Sequence, residues 1–181
     1  MKRNLLLLLF FCVFHSFVRG QGVEYIGTPK NQNFIDSIVG AKSSPGAQYG
    51  AFEKNGSSFS VWIFSNWQES PISVCVLVEY TKDKVRIMKD ILVLDFKVMR
   101  GLFPNADLAT GWDGQYIEKN GIAELSNMIL SVYDWSEQRD YEDSLEYFTR
   151  ILKAWTIDKT RLKFIEIPTE GLTHYNEGWD A

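Results

Sequence analysis

The alternation of apolar and polar positions is sharpest in the middle of the chain. Tyr49 to Lys54 and Ser58 to Ser65 flank Asn55-Gly56, the dipeptide best suited to a two-residue hairpin turn because both positions tolerate φ > 0. In the second run Phe59, Val61 and Ile63 share one face, while Trp62 and Phe64 share the other with Ser58 and Ser60. Ile72 to Tyr80 is apolar on both faces apart from Ser73 and Glu79, the pattern of a central strand. Thr81-Lys82-Asp83-Lys84 makes a turn, and Val85 to Asp95 returns with a break near Lys89-Asp90. Four successive strands with short links predict an antiparallel meander.

The flanks read differently. Gln21 to Gln32 is polar and punctuated by Gly and Pro, with Val23 to Ile26 as a short edge strand. Phe34, Ile35, Ile38 and Val39 have helical spacing over one or two turns, with Asn33 as the cap. Gly40 to Gly46 and Gly101 to Gly114 read as loops, the second of them long. Glu118-Lys119-Asn120-Gly121 repeats the tetrapeptide at Glu53 to Gly56 and admits a second hairpin. Against that, Ile122, Leu125, Ile129, Val132 and Tyr133 form a stripe that favours a helix from 122 to 133. The clearest helical pattern is Tyr141, Leu145, Phe148, Leu152 and Trp155, with Asp140 as N-cap and Glu142 and Asp143 in the first turn. Leu162 to Ile167 is a final strand stopped by Pro168. The predicted fold class is α+β: an antiparallel meander sheet with one long C-terminal amphipathic helix, about 141–156, and shorter helices packed on one face. A sandwich carrying one long helix is the alternative.

The first twenty residues change the accounting. Lys2 and Arg3 precede an apolar run from Leu5 to Phe17, broken by His15 and Ser16, and Val18-Arg19-Gly20 leads into Gln21. This is the layout of a cleaved secretory signal, and the run is shorter than the roughly 20 residues that span a bilayer. The expected product is one globular domain over 21–181, in the periplasm or extracellular space. Loss of Lys2, Arg3 and Arg19 leaves 16 bases against 23 acids, a net charge of −7. Nucleic acid and anionic membrane are poor partners for that balance. Cys75 is the one cysteine left after cleavage, so no internal disulfide forms and stability has to come from a core. Asn55-Gly56-Ser57 is a glycosylation sequon, relevant in a eukaryotic cell.

Reactive chemistry is sparse. HExxH, GxSxG, paired CxxC and EF-hand spacings are absent, and neither a cofactor nor a metal site is expected. Gly40-Ala41-Lys42-Ser43 lacks the first glycine of a phosphate loop, since position 35 is Ile. Asp134, Glu137, Asp140, Glu142, Asp143 and Glu146 read as the solvated face of the long helix. Asn105, Asp107, Thr110 and Asp113 offer oxygen ligands but match no known calcium loop. Aromatic surplus is the more informative feature: 22 rings in residues 21–181, six of them Trp. Trp112, Trp135 and Trp179 lie beside Gly, Asp or Ser, where an indole suits stacking on a sugar or anchoring a partner protein. The ligand-binding candidates are therefore Trp112, Asp113, Tyr116, His174, Tyr175 and Trp179, with no catalytic residue assigned. The leading functional expectation is a non-catalytic binding module for a glycan or partner protein. A hydrolase pairing a carboxylate with His174 is the second expectation, and an inhibitor or immunity-type protein with an acidic surface the third.

Overall fold

A computed structural model describes residues 26–40, 42–43, 46–66, 68–83, 85–109, 117–119, 122–123, 128–137 and 146–175. The meander forms as the alternation predicts. Strands β1 (Ala47–Lys54), β2 (Ser57–Ser65), β3 (Ile72–Tyr80) and β4 (Arg86–Asp95) pair antiparallel in the order β1-β2-β3-β4. Asn55 and Gly56 turn the first hairpin with φ of 51° and 76°, both in the left-handed region. Pairing slips between Leu77 opposite Asp90 and Val78 opposite Met88, so Lys89 is an extra residue in β4. Its ammonium closes on the Glu79 carboxylate at 2.6 Å.

Opposite faces of this sheet bury into different cores. Phe59, Val61, Ile63, Cys75, Leu77, Leu92 and Leu94 point inward, and meet Leu108, Leu130, Val132, Trp155 and Ile157 of a second sheet. That sheet runs β11-β10-β8-β5, from β5 (Ala106–Ala109), β8 (Leu130–Asp134), β10 (Ile151–Asp158) and β11 (Lys163–Ile167). On the outer face of the meander, Phe64, Val74, Val76, Val78 and Met88 are covered by Ile35, Ile38 and Val39 of helix α1 (Gln32–Val39). The cap of α1 is Asn31 rather than Asn33: its side chain accepts from the Asn33 and Phe34 amides. A third, smaller sheet joins β6 (Ile117–Lys119), β7 (Ile122–Ala123), β9 (Tyr147–Phe148) and β12 (Leu172–Tyr175).

Two expectations fail, and with them the α+β assignment: the described residues are mostly β-sheet, with two short α-helices among them. The long C-terminal helix does not form. Residues 147–148 and 151–158 are strands, and 141–145 lie outside the described residues. The stripe misled because it joins apolar residues of two separate strands. Phe148 and Leu152 fall on strands of two different sheets, 147–148 and 151–158, and Trp155, Thr156 and Ile157 alternate in, out, in. The helix expected over 122–133 fails because residues four apart share a face on a strand as well as on a helix. Ile129 and Tyr133, four apart, both pack in the cluster around Ile151, Ala154 and Leu172. Leu130 and Val132 face the main core from the other side of β8. Residues 124–127 lie outside the described residues.

Part of the loop expected over 101–114 is regular structure, and 110–114 lie outside the described residues. Helix α2 (Phe96–Leu102) starts at Asp95, whose carboxylate accepts from the Lys97 and Val98 amides, and β5 follows. The expected edge strand at 23–26 falls largely outside the described residues, as does the whole leader. Gly27 to Lys30 instead runs along the free edge of β4. The Gly27 amide donates to the Met88 carbonyl at 2.7 Å, Met88 donates to Thr28 at 3.0 Å, and Lys30 donates to Arg86 at 2.7 Å. This strap carries the chain into α1 and fixes where the Lys30 side chain sits.

Candidate functional site

Pairing register places Trp62, Ser60, Tyr80 and Arg86 together on the helix-covered face of the meander. Ser60 lies opposite Val78, Trp62 opposite Val76, and Tyr80 opposite Arg86. Helix α1 covers the Phe64 side of this face, which leaves Trp62, Tyr80 and Arg86 at its rim. The indole is oriented by its own polar edge. Trp62 Nε1 donates to Ser60 Oγ at 2.7 Å and lies 3.2 Å from Tyr80 Oη, while Ser60 Oγ donates to Tyr80 Oη at 3.2 Å. A ring held by two hydroxyls offers its faces in one fixed plane.

Two cations lie over that ring. Lys30 Nζ is 5.0 Å from the Trp62 ring centre and 4.5 Å from that of Phe64. Arg86 Cζ is 4.7 Å from the Trp62 ring centre and 5.5 Å from that of Tyr80. Cation–π contacts of this kind contribute roughly 0.5–1 kcal/mol at exposed sites and more when desolvated. The ion pairs among the described residues join Lys89 to Glu79, Arg100 to Asp107, Arg150 to Asp134, Lys153 to Glu166 and Arg161 to Asp158. Lys30 and Arg86 are in none of them. Burial, and then the Arg86 charge, hold the Lys30 ammonium below its ordinary pKa. Beside the pair, Thr28, Pro29, Lys30, Asn31, Gln32 and Asn33 line an open depression of about 550 Å³.

The sequence-derived candidates fall elsewhere. Trp112, Asp113, Tyr116 and Trp179 lie outside the described residues. His174 and Tyr175 are consecutive on β12 and so face opposite ways. His174 is 5% exposed, with its ring 5.1 Å from Tyr133 and 6.3 Å from Phe148. Tyr175 is half-buried and meets Tyr147 edge-on at 5.5 Å. Trp135 is 44% exposed, and Trp155 is core. Of the carboxylates assigned to a wet helix face, Asp134 is in fact buried, bound to Arg150 at 3.0 Å and accepting from the Ser136 amide at 2.9 Å. Asp107 accepts from its neighbour Leu108 at 2.9 Å. No group of three His, Cys, Asp or Glu side chains among the described residues is placed to hold a metal ion. No helix among them is long and apolar enough to cross a membrane.

Sequence reading missed Lys30, Trp62, Tyr80 and Arg86 as a unit. One signal was present: a tryptophan sharing its strand face with Ser58 and Ser60, where an indole needs polar partners at its edge. The pairing of the 27–30 strap with β4 has no counterpart in periodicity, so Lys30 was out of reach. No protein-family model matches the chain, and the comparisons with curated proteins and with solved structures return no match.

Proposed function

We propose that the protein is a non-catalytic binding module that works in the periplasm or outside the cell. It engages a glycan or partner protein through the rim formed by Lys30, Trp62, Tyr80 and Arg86. The observation that carries this reading is the indole of Trp62, fixed by two hydroxyls and met by two cations that have no carboxylate among the described residues. Core packing alone does not call for a cation beside one half-buried ring, because Lys30 is partly buried there and loses hydration while Arg86 stays exposed beside it. A recognition surface does: an aromatic plane gives contact area at low entropic cost, and the cations give orientation. The leader sequence supports the compartment. The adjacent depression gives a ligand room to extend past the indole along the strap.

The test is retention on immobilised full-length chain. Wild type and the Lys30→Gln/Arg86→Gln double variant are exposed to a glycan array and to fractionated envelope and culture-medium proteins. The expected result is a species retained by wild type and lost by the variant. Identical profiles for the two, with both folded by circular dichroism, would refute the proposal.

A further inference from the structure

We propose that Lys30 and Arg86 form an oxyanion site, which takes a doubly charged phosphate monoester carried by the ligand. The inference rests on the binding-module reading and narrows its ligand class. Each cation lies within about 5 Å of the same ring centre, so the two charges are separated by less than twice that distance. Charge-assisted hydrogen bonds of about 2.8 Å on either side of one tetrahedral oxyanion span a gap of that order. The guanidinium supplies a fork of donors and the ammonium a point charge, a division of labour that suits such a group.

The electrostatics favour two negative charges over one. Two like charges over one ring repel each other, and the lowered pKa of Lys30 records that repulsion together with burial. A carboxylate neutralises one of the cations. A sulfate monoester, also singly charged, does the same, whereas a phosphate monoester carries close to two charges at neutral pH and neutralises both. The chain as a whole is acidic, with a formal net charge of −4. Long-range attraction therefore does not bring the anion in, and binding depends on the local pair. The strap amides nearest the pair are already committed: Lys30 donates to Arg86, and Asn33 and Phe34 donate to Asn31.

The experiment uses the full-length chain and four salts at matched ionic strength: sodium sulfate, phosphate, acetate and chloride. Tryptophan fluorescence and melting temperature are followed, and Trp62→Phe identifies the part of the fluorescence change that belongs to Trp62. The expected result is saturable binding of sulfate and phosphate in the millimolar range, absent with acetate and chloride. Affinity falls about tenfold in Lys30→Gln and in Arg86→Gln, with Arg86→Lys between these and wild type. General salting-out is not saturable and survives in the variants, which separates it from site binding. Equal binding of acetate would overturn the double-charge claim, and no response beyond chloride would overturn the site. If the anions fail while wild type still retains a macromolecule that the double variant loses, the binding-module reading stands and this inference falls. If the anions bind and nothing is retained, the reverse holds.

Discussion

Removing the Tyr49 hydroxyl tests how the two large sheets are joined. The β1–β2 register slips between Gln48 and Gly50, so Tyr49 is the extra residue of a bulge. The bulge aims its ring into the main core, where it is 4% exposed. Its hydroxyl donates to the carbonyl of Ile129, one residue before β8 in the opposite sheet. Ile129 is itself 3% exposed. Tyr49→Phe keeps the ring and deletes the donor. A typical hydrogen bond contributes about 0.5–1.5 kcal/mol net, and an unsatisfied buried acceptor costs about 1–3 kcal/mol. The change should therefore cost about 1–2 kcal/mol. With a urea slope of about 2 kcal/mol/M, the midpoint drops by roughly 0.5–1 M. Urea unfolding followed by tryptophan fluorescence measures it, and the slope should not change. A midpoint within about 0.2 M of wild type would mean that water or another donor serves Ile129, and the bulge would lose its assigned purpose. An independent sign comes from alkaline titration. Burial pushes the Tyr49 phenol well above its ordinary pKa, so it should not ionise before the protein unfolds.

The remaining predictions concern packing, a thiol and acid. A Cβ on Gly46 would sit 2.3 Å from Phe64 Cε1, on a ring with no exposure, so Gly46→Ala should cost about 1–3 kcal/mol in the same unfolding assay. Burial pushes the Cys75 thiol up to about 12, so a thiol reagent at pH 8 should label Cys75 at the rate of global unfolding and no faster. Asp36 is held below the usual carboxyl range first by the Ser43 hydroxyl and then by Gln32, and Glu79 first by its hydrogen bond from Lys89. A carboxyl depressed in the folded state stabilises above its unfolded pKa and loses that contribution as pH falls through the folded value. The urea midpoint should thus stay level from pH 7 to 5 and fall below about pH 4, with Asp36→Asn flattening the fall; a midpoint unchanged at pH 3 would contradict these assignments.

How much of this was legible depends on what periodicity can distinguish. The meander was readable because Phe59, Val61 and Ile63 alternate with polar positions and Asn55-Gly56 admits one kind of turn. The extra residue at Lys89 was visible as a break, since a bulge interrupts alternation where it inserts. The second sheet was not readable. Ile129 and Tyr133 are four apart, a spacing that strands and helices share, and Phe148 and Leu152 belong to strands of different sheets. Pairing partners decided between them, and β8 finds β5 and β10 across long stretches of chain. Helix α2 was missed because its two core residues, Phe96 and Met99, give too short a stripe to register. The candidate site was half legible: Trp62 stood out on a serine-lined face, but its cations come from a strap and a strand 56 positions apart in sequence, Lys30 and Arg86.

That separation in sequence has a dynamic consequence. The strap is tied to β4 by three backbone hydrogen bonds at its edge, and an edge with few bonds opens more readily than a core strand. Lys30 rides on the strap and Arg86 on β4. An anion held by both adds a link between the two elements that is lost whenever the strap lifts. Ligand that binds only the closed form stabilises it by RT ln(1 + [L]/Kd), about 2.7 kcal/mol at a hundredfold excess over Kd. Saturating sulfate should therefore slow hydrogen exchange at the Gly27 and Lys30 amides by up to about a hundredfold. The amides of Val76 and Leu77, in the central strand, should gain protection by no more than the whole molecule gains. Local opening governs the first pair and global unfolding the second, so the two classes separate only if the anion bridges strap and sheet. Equal protection at all four positions would instead mean that the anion binds Arg86 and β4 without engaging Lys30, and the strap would be no part of the site.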